Sequence, residues 1–264
     1  LKDFMASGRE LAHAELIGAL LIAGFGTLIS LFPFHSWAAP AYASAPAPVA
    51  MMHAGVLKKF GLYGLFMFQP LMETGFLPWT NILLVLLVCN VIWVGYVTVN
   101  QKRLDLLLGN SSVMHMGYIF LAFAALVVSG SAEANPWALK GAALLMLAHG
   151  LTIALLFLLC GQIEKQTGTL EINSLGGLST RLPRMAFVFG LAGMASIGLP
   201  GLANFPGEFM VFFSGFAGFS NGFGPVQIAT ILCLWGLVIG AVYMLRAYRN
   251  IFQGDLSKAS AYAT

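Results

Sequence analysis

The chain has 264 residues, of which 59% are hydrophobic and only 9% are charged. A soluble domain carries about a quarter charged residues, so this sequence has too little polar side chain to cover a globule in water. Its 13 basic and 10 acidic residues form no basic run that could follow a phosphate backbone, which excludes nucleic acid as a partner. The composition therefore predicts an integral membrane protein.

Apolar runs long enough to cross a bilayer recur along the whole chain. A helix needs about 20 apolar residues to cross the hydrocarbon core, where it satisfies its own backbone hydrogen bonds. This criterion predicts an all-α, polytopic transmembrane bundle of about seven spans. In chain order, the predicted spans are 12–33, 46–68, 79–99, 104–130, 137–161, 184–219 and 226–244.

The sixth predicted span is too long for one straight helix. Its segment LPGLANFPGE (199–208) contains two prolines and two glycines, which interrupt the backbone hydrogen-bond ladder. We therefore expect a broken helix at 199–208. With that segment inside a single span, most loop lysines and arginines fall on one side of the membrane, which we expect to be cytoplasmic.

Charged and protonatable side chains inside the predicted spans carry the functional signal, because a charge at mid-bilayer costs at least about 2.5–3.5 kcal/mol. Lys58 and Lys59 lie at the centre of the second span, His149 lies in the middle of the fifth, and Glu208 follows Pro206 in the sixth. The alternatives are a permanent buried ion pair for the lysines, a hydrogen-bonded core side chain for His149 and a helix-dipole partner for Glu208. Lys58, Lys59, His149 and Glu208 are therefore candidates to hold and release protons.

Four further side chains are secondary candidates. His53 precedes the two lysines, and His115 lies beside a polar stripe in the fourth span. Asp105 follows Arg103 at the start of that span and is also compatible with an interfacial ion pair, and Lys140 lies near a span end, from which a lysine can reach water. The cysteines and histidines lack the spacing of a metal or haem site, and no glycine-rich nucleotide loop occurs. The residues therefore predict proton or cation transport, with water linking the protonatable groups.

Five ordered motifs carry a family resemblance. They are the long run that begins FPFHSW (32–65), SSVMHMGY (111–118), the run that begins LAHG (147–169), LGGL (175–178) and ASIGLPGLANFPGEFMVFF (195–213). Together they resemble the antiporter-like membrane subunits of respiratory complex I, the proton-pumping NADH:quinone oxidoreductase, and most of all its M-type subunit, chain 4. The resemblance extends over about residues 16–254.

The resemblance implies a role for each motif residue. Lys59 corresponds to the central lysine of the family beside a second helix break, His149 to a relay histidine, and Glu208 to the acid that ends the outward proton path. His115 corresponds to the histidine of the SHMG motif. The resemblance also implies that this chain holds no cofactor, because NADH, FMN, iron–sulfur clusters and quinone bind to partner subunits. L-, N- and K-type membrane subunits and lipids would surround it in a hetero-oligomer.

The sequence departs from the family at one charged pair. Family members read D-x-K-R-L before the SHMG motif, whereas Arg103 stands here at the aspartate and Asp105 at the lysine. Two other lysines are candidates to restore the missing positive charge. Lys58 directly precedes the central lysine, and Lys140 stands where family members often have glutamine.

Family members are also longer than this chain, and they pair the central lysine with a glutamate on an earlier helix. We therefore expect residues 1–264 to form a single transmembrane domain that resembles the C-terminal half of such a subunit. The expected function is proton translocation in complex I, in the bacterial inner membrane or alternatively a mitochondrial or thylakoid membrane. An Mrp-type cation/proton antiporter, a membrane-bound hydrogenase subunit and a non-pumping structural subunit are the alternatives.

Overall fold

A computed structural model describes residues 13–217 and 222–261 of the chain. Within these residues the chain forms helices joined by short connections and has no strand, which confirms the all-α prediction. Four helical segments are long and apolar enough to cross a membrane: Thr74–Val99, Leu104–Ser129, Pro136–Thr167 and Pro225–Phe252. A shorter apolar helix spans Ala14–Ile29.

The helices are numbered here in chain order. They are α1 Ala14–Ile29, α2 Ala38–Ser44, α3 Ala47–Met52, α4 Lys58–Phe68, α5 Glu73–Phe76, α6 Thr80–Val99, α7 Leu104–Ser129, α8 Pro136–Thr167, α9 Pro183–Ser196, α10 Asn204–Gly215, α11 Pro225–Phe252 and α12 Lys258–Ala261. A π-helical turn, His53–Leu57, joins α3 directly to α4.

Helix α7 forms the centre of the bundle. In its most apolar stretch 94% of the residues are buried inside the protein, against 39% for α11, so α7 is surrounded by other helices and α11 lies at the periphery. Small residues let the neighbouring helices approach α7 closely. At Gly109, for example, an added Cβ atom would lie only 2.8 Å from the Cα atom of Ala39 in α2, so a larger residue would not fit. Such close backbone packing is what holds helices together in lipid, where no hydrophobic driving force acts between them.

The first crossing consists of α1 and α2 with a break between them. The predicted span 12–33 is continuous and does not include this break. Helix α1 ends at Ile29, and the helical path resumes only with α2. The fully buried Asn90 donates to the carbonyl oxygens of Ser30 (3.1 Å) and Val113 (3.2 Å) and accepts the backbone N–H of Phe32 (2.5 Å). One amide side chain therefore satisfies backbone groups that the interruption leaves free, as irregular backbone at membrane depth requires.

The second discontinuity lies between α9 and α10, so the predicted broken helix is confirmed. The interruption covers 197–203 rather than 199–208, and Pro206 and Gly207 belong to the first turn of α10. Proline is tolerated there because the first four backbone N–H groups of a helix have no acceptor inside the helix.

The contacts of α9 and α10 show that both halves run in one direction through the bundle. Phe189 in the first half of α9 packs on Phe252, which ends α11, with the ring centroids 5.1 Å apart. At the opposite end, the Asn135 side chain, which precedes α8, donates to the carbonyl oxygen of Ser214 in α10 (3.0 Å). The two halves therefore continue one crossing, in agreement with the single sixth span.

Near Lys59 the expected irregularity takes the form of the π-helical turn His53–Leu57, not an open break. This turn lies against α8, since a Cβ atom added at Gly55 would lie 3.1 Å from the carbonyl oxygen of Gly150. Helix α8 itself extends beyond the predicted span 137–161, because the hydropathy pattern detects only the part of a helix that lies in hydrocarbon.

Candidate functional site

Four helical elements each bring one protonatable side chain into the interior of the bundle. Lys59 comes from α4, His115 from α7, His149 from α8 and Glu208 from α10, and they are only 8%, 3%, 1% and 2% exposed. The three residues that the sequence puts first are thus all buried, and His115 joins them. We refer to these four residues as the buried row.

Lys59 begins the buried row beside the π-helical turn. Its ammonium group donates to the carbonyl oxygen of Ala54 within that turn. The side chain also lines a cavity of about 610 Å³ between the π-helical turn, α4 and α8, whose lining includes the exposed Phe60 and Leu147. The cavity therefore opens on the outer surface of the described helices.

The two histidines form a stacked pair at the middle of the buried row. The ring centroids of His115 and His149 are 4.9 Å apart, with an interplanar angle of 19°. His149 Nε2 lies 3.4 Å from the hydroxyl oxygen of Ser112, and Lys59 is among the charged groups that act on this ring. The local sequence around His149 contains no other polar ring, and it is the packing of α7 against α8 that brings the His115 ring to it.

His115 connects the histidine pair to the broken helix. Its Nδ1 atom lies 2.8 Å from the carbonyl oxygen of Ser111, one turn earlier in α7. Its Nε2 atom lies 2.9 Å from the carbonyl oxygen of Ser196, the last residue of α9. The same Nε2 atom lies 3.9 Å from Glu208 Oε1.

Glu208 ends the buried row. It is the fifth residue of α10, and both carboxylate oxygens are buried without a hydrogen-bond partner. The alternative of a helix-dipole partner gains no support, since no backbone N–H donates to the carboxylate. The carboxylate packs directly on Gly198 in the break, whose φ of +78° and lack of space require glycine.

The sequence alone does not single out two further polar residues beside the buried row. Asn204 is fully buried one turn before Glu208, and its Nδ2 atom has no partner. Its Oδ1 atom lies 3.3 Å from the hydroxyl oxygen of Thr152, one turn after His149 in α8. A buried amide donor beside an unpartnered carboxylate is a typical position for an ordered water. The sequence feature that could have identified Asn204 is an amide side chain at the end of a glycine-rich helix break.

The Lys58 ammonium group lies beside the Tyr42 ring of α2. Lys58 is fully buried, its ammonium nitrogen has no hydrogen-bond partner, and it lies 5.9 Å from the centroid of the Tyr42 ring. His53 lies in the same cluster, with Nδ1 3.3 Å from the Tyr42 hydroxyl oxygen. Among the described side chains, no carboxylate lies within ion-pair distance of Lys58 or Lys59, so the permanent ion pair considered for them is not formed there.

The exchanged charges lie at one end of α7 and form a local ion pair. Arg103 Nη2 is 2.6 Å from Asp105 Oδ2, and the Arg103 side chain is 43% exposed. The hydrogen bonds and charge of Asp105 raise the pKa of the Arg103 guanidinium. Asp105 Oδ1 also accepts the backbone N–H of Leu106 (2.8 Å). Asp105 thus forms an ion pair with Arg103 at the start of α7, and neither it nor the exposed Lys140 belongs to the buried row. Within residues 13–217 and 222–261, no three His, Cys, Asp or Glu side chains converge as metal ligands would.

The sequence matches a family described as "NADH:quinone oxidoreductase/Mrp antiporter, TM" over residues 2–240. The chain belongs to this family. Curated relatives support the assignment: chain 4 1 of the NAD(P)H-quinone oxidoreductase of Synechococcus elongatus is 37% identical over 257 residues, covering 96% of this chain and 45% of the relative. Chain 4 2 from Microcystis aeruginosa is 36% identical over 243 residues, covering 91% and 42%. The chain therefore spans less than half the length of these relatives.

Two solved structures share the fold of this chain. One chain of respiratory complex I from Thermus thermophilus with bound NADH matches with a TM-score of 0.84 and 27% identity, covering 97% of this chain and 53% of that one. A chain of the Mrp complex from Dietzia sp. matches with a TM-score of 0.81 at 22% identity, covering 92% and 43%, which shows the fold alone. Membership of the family confirms the resemblance carried by the motifs and the membrane location. The roles assigned to Lys59, His149 and Glu208 stay predictions.

Proposed function

We propose that this chain forms part of a proton-translocating membrane subunit in an NAD(P)H:quinone oxidoreductase of the complex I type. The observation that carries the proposal is the buried row, in which Lys59, His149, His115 and Glu208 follow one another through the interior of the bundle. Protonatable groups are costly inside a membrane protein and mark ion paths there. The relatives named as chain 4 supply the link to quinone reduction.

The buried row is suited to carry protons in steps. Lys59 holds a proton beside the outward-opening cavity, the stacked histidines pass it on, and Glu208 receives it at the break. Water completes the gaps, since the unpartnered Nδ1 of His149, Nδ2 of Asn204 and both oxygens of Glu208 are positions for ordered waters. In an interior of low dielectric constant, a charge gained at one member changes the proton affinity of the next, which couples the steps electrostatically.

The rest of the assembly is also part of the proposal. Partner subunits bind NADH, flavin, iron–sulfur clusters and quinone, while this chain contacts lipids and the L-, N- and K-type membrane subunits. Residues 1–264 correspond to the C-terminal half of the subunit, and an earlier helix with a glutamate would reach Lys59 through the open cavity. The cyanobacterial relatives favour a bacterial inner or thylakoid membrane.

The experiment is a Lys59→Met variant in the native complex, inserted into sealed vesicles. Proton uptake is followed with a pH-sensitive dye while quinone reduction is measured in the same vesicles. We expect fewer protons per quinone reduced, whereas the control variant Lys140→Met, which removes an exposed lysine of the same helix bundle, keeps the native ratio. An assembled Lys59→Met complex with the native ratio would refute the proposal and favour a structural subunit. Sodium-dependent proton movement without any electron donor would instead indicate an Mrp-type antiporter.

A further inference from the structure

The His115 ring faces a hydrogen-bond acceptor at each nitrogen. The carbonyl oxygens of Ser111 and Ser196 lie 2.8 Å and 2.9 Å from Nδ1 and Nε2. A carbonyl oxygen only accepts, so each nitrogen must donate an N–H. A neutral imidazole carries one N–H, and only the imidazolium carries two. The geometry therefore fits the protonated ring.

A buried imidazolium needs a negative partner, because an uncompensated charge in the interior is strongly destabilising. Glu208 supplies it, with Oε1 3.9 Å from His115 Nε2. Lys58, Lys59, the stacked ring of His149 and the Tyr118 ring, whose centroid is 5.6 Å away, also act on His115, and none of them can compensate a positive charge.

We propose that His115 is a proton-carrying residue whose imidazolium pairs with the Glu208 carboxylate and binds the end of α9 at the break. This inference rests on the proposed function of the buried row and adds a residue and a conformational link to it. In the paired state, both N–H groups of His115 are bonded to carbonyl oxygens. The last carbonyl groups of a helix have no donor within the helix, and in the paired state His115 donates to one of them, the Ser196 carbonyl.

The transfer step follows from the same geometry. The Nε2–H bond of His115 breaks and an O–H bond forms on Glu208, after a small approach or through one water. Both groups become neutral, and Nδ1 keeps its proton on the Ser111 carbonyl. The deprotonated Nε2 atom is now a hydrogen-bond acceptor, and it faces the Ser196 carbonyl oxygen, which is also an acceptor. The hydrogen bond between His115 and the end of α9 is therefore lost. Proton arrival at Glu208 thus loosens the break at 197–203.

The test combines hydrogen exchange with transport in the holo complex. The Glu208→Gln variant removes the counter-charge, so His115 becomes neutral and loses its bond to Ser196. We expect backbone N–H groups in 194–203 to exchange roughly tenfold faster or more, as the loss of one charge-assisted hydrogen bond implies. The control Glu164→Gln, which removes an exposed carboxylate from α8, keeps native exchange.

A second variant separates proton carriage from packing. His115→Gln places an amide N–H near the Ser196 carbonyl but offers no transferable proton. We expect near-native exchange at the break and a loss of proton translocation. Native translocation in His115→Gln, or unchanged exchange in Glu208→Gln, would overturn the inference. If exchange responds as expected while Lys59→Met still pumps at the native ratio, the paired histidine stands and the proposed function fails.

Discussion

The contact between the π-helical turn and α8 offers a sharp test of how the buried row is positioned. Gly150 directly follows His149, and a Cβ atom added there would lie 2.6 Å from the carbonyl oxygen of Gly55. A carbon and an oxygen need about 3.2 Å, so Gly150→Ala must move the π-helical turn by about 0.6 Å. Because both partners are backbone, no side chain can rotate to relieve the contact. Because Lys59 comes shortly after this turn in the chain, the shift of the turn moves Lys59 away from His149.

We expect two measurable effects of Gly150→Ala. Overpacking of this kind costs about 1–3 kcal/mol of stability, which lowers the thermal midpoint of the complex. The displacement of Lys59 slows proton translocation by about tenfold, since small misplacements of reacting groups lower rates steeply. Both are measured on the assembled complex, by thermal unfolding and by dye-monitored proton uptake in vesicles.

The chain offers a matched glycine as the control. Gly24 is a helical glycine of α1 with no atom within 4 Å of an added Cβ, so Gly24→Ala should keep native translocation and stability. If Gly150→Ala behaves like Gly24→Ala, the close approach of the π-helical turn to α8 does not position Lys59, and the reasoning is wrong.

Three other substitutions test neighbouring features. Lys58→Met removes a buried amine without a hydrogen-bond partner, so we expect a gain of about 1–3 kcal/mol in stability and near-native proton uptake; reduced uptake would instead put Lys58 in the path. Asn90→Leu leaves two backbone groups at the first break, the Ser30 carbonyl and the Phe32 N–H, without their partner. It should cost at least about 2 kcal/mol, seen as a lower thermal midpoint, and an unchanged midpoint would contradict this. Asp105→Asn weakens the ion pair with Arg103 and keeps an acceptor oxygen for the Leu106 N–H. We therefore expect a change of about 1 kcal/mol and a native ratio of protons to quinone. A loss of pumping would mean that the exchanged pair takes part in transport.

Much of the fold and of the site follows from local sequence, because the bilayer imposes strict rules. Hydropathy alone identifies the helices that cross lipid, and any charge within them is unusual enough to stand out. These two rules are sufficient to predict the all-α bundle and to mark Lys58, Lys59, His149 and Glu208 as protonatable groups inside the spans, whereas the choice of Lys59 over Lys58 came from the resemblance of the motifs.

The features that escape prediction depend on contacts between distant segments. The break after α1 lacks the proline and glycine density of 199–208, and it is stabilised by Asn90, which lies in another helix. The stacking of His115 on His149 likewise results from the packing of α7 against α8. The predicted break includes Pro206, although proline in a first helical turn costs little and does not interrupt the helix there. Periodicity and hydropathy do not encode such tertiary partners.

The central claim is that the buried row forms one proton path, and the most direct measurement is the number of protons translocated per quinone reduced. It is determined for Lys59→Met, for Glu208→Gln and for the double variant in the assembled complex. Residues of one path act as a unit, so we expect the same loss in each single variant and no further loss in the double variant. A native ratio in either single variant, or losses that add in the double variant, would contradict the account.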